Sequence, residues 1–534
     1  MRNFIVRLDD LADIKTAHGL VCWLERAAFV FIILMFVAAP HSIAVTNIGW
    51  LTGMFLWFVR LFVKQRPPLV RTPLDIPLWI FFGWSLVSSI FSYDPLVSLD
   101  KLRLNVALFL IFYYVINVVR TKRAVVFLAL AMVLSQMISV VWTPIERIIG
   151  RGVEIVAVSK ESPLTKALLY DGDTLLKANG KKIKTPDDLI AEIQAAEATK
   201  LYVYRPDYYF TVEVRRADLL GGKSALEQLG IADWRRSSNW RSAGFYGHYT
   251  TFAEVLQLIA SLVFGLFIVL LGKRFLPQRH RDAEEKNQTE RQISSSYRLI
   301  VSSSLLFSLA GMSVALLLTV TRASQLGFLI SAATIVLLFG NRRMFLTLAA
   351  VILPIALIGL VVLQQSRQVG FFDTQDESIT WRQTVYREGF DLWTKNARHF
   401  TVGVGMDSIK KYAVEWHLFD DGKLPTGHFH STPLQLLVER GTPALLLWLW
   451  VLWIYGRTLL RHFKFQIQKS DDWREKGIIL GCFGGMIGFC ASGLVHYNLG
   501  DAEVAMVFFM LMGLSVRLCG FNSLTSVTES NIIE

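Results

Sequence analysis

TGHFHSTPLQLLVERGTPALLLWLW, residues 426–450, joins a polar loop to an apolar helix. Thr432 is placed to cap that helix, because its hydroxyl can accept from the orphan N–H groups of the first turn. Pro433 fits the first helical position, where a missing N–H costs nothing. The apolar run continues to about Tyr455, long enough to cross a bilayer. His428 and His430 then stand just outside the membrane, one step before a helix begins. There an imidazole can exchange a proton with a substrate lying at the surface. Two ordinary loop histidines would give the same local pattern, so the rest of the chain has to decide.

Working outward, the same alternation of apolar block and polar connection recurs along all 534 residues. The chain is 53% hydrophobic, with a mean hydropathy of +0.42, far more apolar than a soluble domain. Apolar runs fall at 22–40, 44–63, 74–92, 101–119, 123–145, 246–272, 298–320, 325–340, 344–363, 433–456, 477–497 and 502–518. Each is near the roughly 20 residues that a span requires, which predicts a mainly α, polytopic membrane bundle of about twelve helices. Connections on one side are basic: 60–71, 120–123, 273–286, 341–343 and 457–469. Those at 40–47, 92–98 and 496–501 are not. The positive-inside bias places the basic side and both termini in the cytoplasm. The net charge of +12 is explained by those loops and does not call for nucleic acid. Cys22, Cys482, Cys490 and Cys519 lie in or beside apolar runs, without metal-type spacing, and predict neither a zinc site nor a disulfide framework. About twenty mixed polar residues precede the first apolar run, and no cleavable signal is evident.

The topology leaves two long segments outside. Residues 1–21 form a cytoplasmic lead-in, 22–146 five spans, 246–363 four spans, 433–518 three spans and 519–534 a cytoplasmic tail. Between them lie a soluble-like insertion at 147–220, a basic-aromatic connector at 221–245 and a large outside loop at 364–432. In the insertion, Val153, Ile155 and Val158 read as a strand. Ser162-Pro163 opens a helix, and Asp171-Gly172-Asp173 and Asn179-Gly180 are turns. Thr185-Pro186 starts a second helix, and 201–214 is strand-like. This order resembles a bacterial-type PDZ domain, which implies a small α/β module facing the periplasm and an envelope protein as its partner. A spacer that binds no free peptide is the competing reading.

Several basic residues lie on the outer side, where topology does not require them. Arg235, Arg236 and Arg241 stand among Trp234, Trp240, Phe245 and Tyr246. That mixture suits anchoring to lipid phosphates or recognition of a phosphorylated lipid. Arg322 sits in a short turn between two spans, where it can snorkel or face a polar cavity. His496, Asn498 and Asp501 cluster in the last outer turn. Asp501 there either caps the final helix or joins the mouth of an outward cavity. In 364–408, Trp381, Val385, Phe390, Leu392 and Trp393 give an amphipathic helix expected along the membrane surface, with Arg382 and Arg387 on its other faces. The glycines are too few for a nucleotide-binding loop. His428 and His430 are too few for a metal site, so no metal or other cofactor is expected.

Taken in order, these residues carry a resemblance. Arg241-Ser-Ala-Gly with His248 precedes a span; Thr321-Arg322-Ala-Ser lies between spans. Trp381-Arg382 and Gly403-Val404-Gly405 occupy a long outer loop, and His430 stands before Leu434-Gln-Leu-Leu-Val-Glu-Arg-Gly441. The chain resembles the O-antigen ligase and polymerase superfamily of bacterial inner membranes. Ser431 departs from the asparagine common after the histidine, and Thr321 from the usual serine before the arginine. The resemblance implies a metal-independent, inverting glycosyltransferase that takes a glycan from a polyprenyl-diphosphate carrier. His430 would be the general base, and Arg241, Arg322 and Arg382 would stabilise the diphosphate. His428, His496 and Asp501 join the expected substrate site, and Glu439 is expected to support the site without acting as the base. The expected partners are the lipid-linked glycan, a lipid or glycan acceptor such as lipid A–core, and membrane lipids. An O-antigen or capsule polymerase and a protein O-oligosaccharyltransferase fit the same residues. A transporter or flippase fits the span number, but it predicts repeats and midplane charges. A membrane scaffold predicts that the histidines and arginines are dispensable.

Overall fold

The computed structural model describes residues 2–14, 19–63, 66–205, 208–238, 240–275, 288–339, 377–424, 427–465 and 472–530. The expected span at 344–363 and the start of the large outer loop lie outside these residues. Among them, ten helices are long and apolar enough to cross a membrane, and Asp75–Ile90 is a shorter apolar helix. Together they account for every other span read from the sequence. The protein is a multi-pass helical membrane protein. It divides into two units, one of Met1–Ser139 with Phe245–Glu534 and one of Val140–Gly244.

The first unit is built on helix Tyr249–Phe275, whose apolar stretch is 94% buried, the largest share among these helices. It is buried because its neighbour Trp473–Gly493 presents glycines where the two cross. A Cβ on Gly265 would lie 2.4 Å from Gly481 N, and one on Gly481 would lie 2.6 Å from Leu262 Cα. Backbones that approach this closely gain packing where lipid offers no hydrophobic drive. Helix Arg322–Phe339 joins them with its N-terminus at the same end. Ser331 Oγ donates to Ser261 Oγ at 2.8 Å, and the Gln257 side chain lies between Gly327 and Gly488. The first turn of Tyr249–Phe275 is thereby fixed at one end of the bundle, where His248, Thr251 and Glu254 stand.

At the same end, helix Glu377–Thr394 packs Val385 and Leu392 into a compact cluster with Val404, Ile409, Phe419, Phe429 and Val438. Trp381 and Trp393 flank that cluster, whereas Phe390 is 53% exposed. The helix therefore rests on a protein core, and Phe390 falls off the stripe expected of it.

The second unit is an antiparallel sheet of β1 (Arg151–Val158), β2 (Thr174–Ala178), β3 (Lys181–Lys182), β4 (Ala198–Arg205), β5 (Tyr208–Arg215) and β6 (Ile231–Ser237). The strand order is β5-β4-β2-β1-β6, with β3 beside β2. Val153, Ile155, Leu175, Leu201 and Val203 face helix Pro186–Gln194 across one core. The local signals act as their chemistry dictates. Ser162 caps Pro163–Lys166, Thr185 and Asp188 form a capping box, and Asn179 and Gly180 take positive φ between β2 and β3. The stretch expected as a connector at 221–245 instead completes the domain. Ser224 caps helix Ala225–Leu229, and β6 pairs with β1. Arg235 belongs to this pairing: it donates to Glu154 Oε1 at 2.8 Å and 2.5 Å, because a buried carboxylate across the strand needs a counter-charge.

Candidate active site

The site begins with a break in a helix. Thr432–Phe465 does not run straight: Gly441 has φ 74° and ψ 175°, a conformation essentially reserved for glycine. Pro443 then lacks the N–H that Glu439 O would have met in a continuous helix. The carbonyls left open are taken up from outside. Val438 O accepts from Val404 N and Glu439 O from Gly405 N, both at 2.9 Å, and Arg440 O accepts from Trp84 Nε1 at 2.8 Å. Gly403 and Gly405 make this approach possible, since a Cβ on Gly403 would lie 2.4 Å from Glu439 O. The short helix 432–440 is thus bonded along its end to the 403–405 turn. Its first residue is Thr432, and Ser431, rather than Thr432, provides the cap, accepting from Leu434 N at 3.5 Å. Thr432 is engaged otherwise: its N–H and hydroxyl both meet His496 O, at 3.0 Å and 3.1 Å, which ties the helix start to the last outer turn.

Directly before this helix, Gly427-His428-Phe429-His430 runs irregularly. Phe429 is the anchor. Its ring is fully buried and stacks on Phe419 with centroids 5.8 Å apart, and its N–H donates to Gln435 Oε1 at 2.8 Å. The two histidines flank it and lie together, with ring centroids 4.1 Å apart. His430 adopts φ 47°, a left-handed conformation that a non-glycine residue holds only under constraint. The constraints are its N–H on His428 Nδ1 at 3.2 Å and its carbonyl under Tyr386 OH at 3.0 Å. Trp381 packs edge-on to the His430 ring at 4.7 Å. Tyr497 closes the other side, 5.7 Å from the His428 ring, with its hydroxyl donating to Glu439 Oε2 at 3.3 Å. Glu439 Oε1 in turn accepts from Asp407 N at 3.0 Å, so this carboxylate holds parts together.

Charge then sets the chemistry. Burial pushes the His430 imidazole down to about 2, assisted by His428, His496, Arg382 and His248. Burial also lowers His428, to about 4, with Lys410, His496 and His248 contributing. Both rings are therefore neutral; the lone pair of His428 Nδ1 is engaged by the His430 N–H, and the His430 ring keeps one that can take a proton. The surrounding groups are cations and imidazoles, a setting that attracts an anion. An anion bound there would raise both imidazoles towards their ordinary range. Behind this layer His496 Nδ1 shares a hydrogen bond with Glu254 Oε1 at 2.6 Å, and both are buried. Asp501 stands beyond Glu254. Its Oδ2 accepts from Thr251 Oγ1 at 2.6 Å, and burial together with Glu503 and Glu254 raises it well above the usual carboxylate range.

The structure therefore brings together four of the residues singled out in the sequence: His428, His430, Arg382 and His496. Asp501 is one layer further back, and it also caps the last helix, its Oδ1 accepting from Val504 N at 3.4 Å. Arg322 opens helix Arg322–Phe339 at the end of the bundle that carries Glu254. Arg241 belongs to the second unit, on the stretch after β6. Sequence reasoning passed over Glu254 and Tyr497 and gave His248 no role. Glu254 reads as one polar residue in an apolar run, and its partner His496 is 242 residues away. Among the described residues, no three of His, Cys, Asp and Glu are grouped to hold a metal.

Residues 307–449 match the family model described as O-antigen ligase. Over these residues the chain is similar to the O-antigen ligase family. The match supports a membrane enzyme of the ligase and polymerase type. The family match covers Arg322, Arg382, His428, His430 and the broken helix at Gly441. His248, Glu254 and His496, the remainder of the cluster, lie outside the matched region. No curated protein matches the chain.

Proposed function

We propose that this enzyme transfers a glycan from a polyprenyl-diphosphate carrier to a hydroxyl of an acceptor such as lipid A–core, on the periplasmic face of a bacterial inner membrane. Both termini then lie in the cytoplasm. The observation that carries the reading is the neutral His430 imidazole, held beside Arg382 in a constrained loop. In the reaction, His430 accepts the acceptor's hydroxyl proton as the oxygen forms its bond to the anomeric carbon. The bond from that carbon to the diphosphate oxygen breaks on the opposite face, which inverts the centre. The leaving diphosphate carries away the electron pair, and Arg382, with Arg322 of the same unit, meets its growing charge. Binding the diphosphate raises the His430 pKa, so the base strengthens only when donor is in place. General-base assistance of this kind is worth about 10² to 10⁴ in rate.

The inserted domain serves in this reading as a PDZ-like module for an envelope protein. The test of acceptor class is product analysis with purified protein, a polyprenyl-diphosphate oligosaccharide and lipid A–core. Labelled glycan on the core supports a ligase. Lengthening of the lipid-linked chain alone would make it a polymerase with the same chemistry. Donor that crosses the bilayer without any transfer would point to a transporter.

A further inference from the structure

The most deeply buried span, Tyr249–Phe275, carries a carboxylate. Glu254 stands in its second turn and is 2% exposed. A charged side chain in a span gives up its hydration, and such residues are kept chiefly where they have a task. Glu254 Oε1 lies 2.6 Å from His496 Nδ1, whereas Oε2 is buried and no described residue bonds to it. Two further carboxylates stand close by, since Asp501 feels the charge of both Glu503 and Glu254. Repulsion among the three works against stability. Among the described residues, one imidazole is the only side chain bonded to this costly carboxylate.

Holding the helices together does not require this bond. Thr251 Oγ1 donates to Asp501 Oδ2 at 2.6 Å and already joins the start of the same helix to the last outer turn. That turn is tied in addition to helix 432–440, because His496 O accepts from Thr432 N at 3.0 Å. What the Glu254 contact adds is control of the His496 ring. A carboxylate that accepts from Nδ1–H fixes the proton on that nitrogen and leaves Nε2 free of it. The charge of the ring acts on both His428 and His430, so the ring belongs to their cluster. Thr432 follows His430 by two residues. His496 is therefore braced through its backbone against the segment that presents His430, and oriented through its ring by Glu254.

We propose that Glu254 is a positioning residue for glycan transfer: it holds the His496 imidazole in one tautomer and one orientation beside the His428–His430 pair. The role rests on the proposed transfer reaction. Held in this way, His496 presents Nε2 to the bound donor while charge moves onto the diphosphate. Glu254→Gln is the test. The amide keeps the size of the side chain and can still accept from Nδ1–H, but it can equally donate, so it no longer dictates which nitrogen carries the proton. Purified full-length protein is given a polyprenyl-diphosphate oligosaccharide and lipid A–core, and glycan is counted on the core and on lengthened donor. In Glu254→Gln kcat should fall about 10- to 100-fold with the donor KM little changed, the usual loss for an imidazole deprived of its orienting partner. NMR of the histidine ring nitrogens is the second readout. The Nδ1–H signal of His496, assigned by its loss in His496→Gln, should give way to a mixture of tautomers in Glu254→Gln. Parental kcat in Glu254→Gln, or an unchanged His496 signal, overturns the role. Loss of transfer only in step with a lower melting temperature would make Glu254 structural and overturns it as well. A parent protein that transfers to neither acceptor overturns the transfer reaction itself, and the positioning role falls with it.

Discussion

Gly441→Ala should disable the enzyme without touching a substrate-binding group. Gly441 sits at φ 74° and ψ 175°, so any side chain there carries backbone strain of about 1–3 kcal/mol. The added Cβ would also lie 2.0 Å from Thr401 O, 2.4 Å from Thr401 C and 2.8 Å from Val402 N. These are backbone atoms just ahead of Gly403, and they cannot swing aside as a side-chain tip can. Relief requires moving either the 401–405 segment or the short helix 432–440. Either movement breaks the 2.9 Å bonds from Val404 N and Gly405 N and disturbs the helix that His430 precedes. A total loss of about 3–5 kcal/mol, the upper range for single substitutions, is expected. The assay is thermal melting of purified protein beside glycan transfer. Gly83→Ala is the control, because Gly83 is inside a helix with nothing within 4 Å of its added Cβ. Gly83→Ala should melt at or slightly above the parent. A Gly441→Ala protein that melts and transfers like the parent would refute the broken-helix account.

Three further outcomes follow from the same geometry. Gln435→Ala leaves the buried Phe429 N–H without its acceptor, a cost of about 1–3 kcal/mol, and should loosen both histidines so that kcat falls more than KM rises. In the free enzyme His430 must be deprotonated to act and titrates near 2, so kcat/KM should show no acid limb from it between pH 5 and 8. The profile of kcat, which reports the donor complex, should acquire an acid limb, because the bound diphosphate raises the imidazole. A kcat/KM limb near the ordinary histidine value that disappears in His430→Gln would contradict this assignment. In the second unit, Asp173 is buried and holds Arg205 through two 2.7 Å contacts. Asp173→Ala should cost about 3 kcal/mol and make residues 140–244 sensitive to protease, while spans elsewhere stay protected.

Much of this was legible in the chain, for identifiable reasons. The spans are long and their polar connections sharp, so hydropathy alone locates them. Thr185 with Asp188 and Asn179-Gly180 act through neighbours a few residues away, which a sequence displays directly. What escaped depends on distant partners. Gly441-Thr442-Pro443 carries the signal of a helix end, but apolar residues on both sides hide it, and its meaning lies with the carbonyls bonded to Val404 and Gly405. Ser431 took the capping role because Thr432 is bonded to His496. β6 was hidden in a charged stretch, since Arg235 is neutralised by Glu154 on a strand far away in the chain. Glu254 gains its significance only from His496.

The most direct test of His430 as the base is single-turnover transfer from a polyprenyl-diphosphate glycan, with chelator present, comparing the parent with His430→Ala. Donor binding is measured on the same samples. The account predicts that His430→Ala binds donor and melts like the parent but transfers at least about 10²-fold more slowly. Transfer by His430→Ala at the parental rate would contradict it and move the search for the base to another member of the cluster.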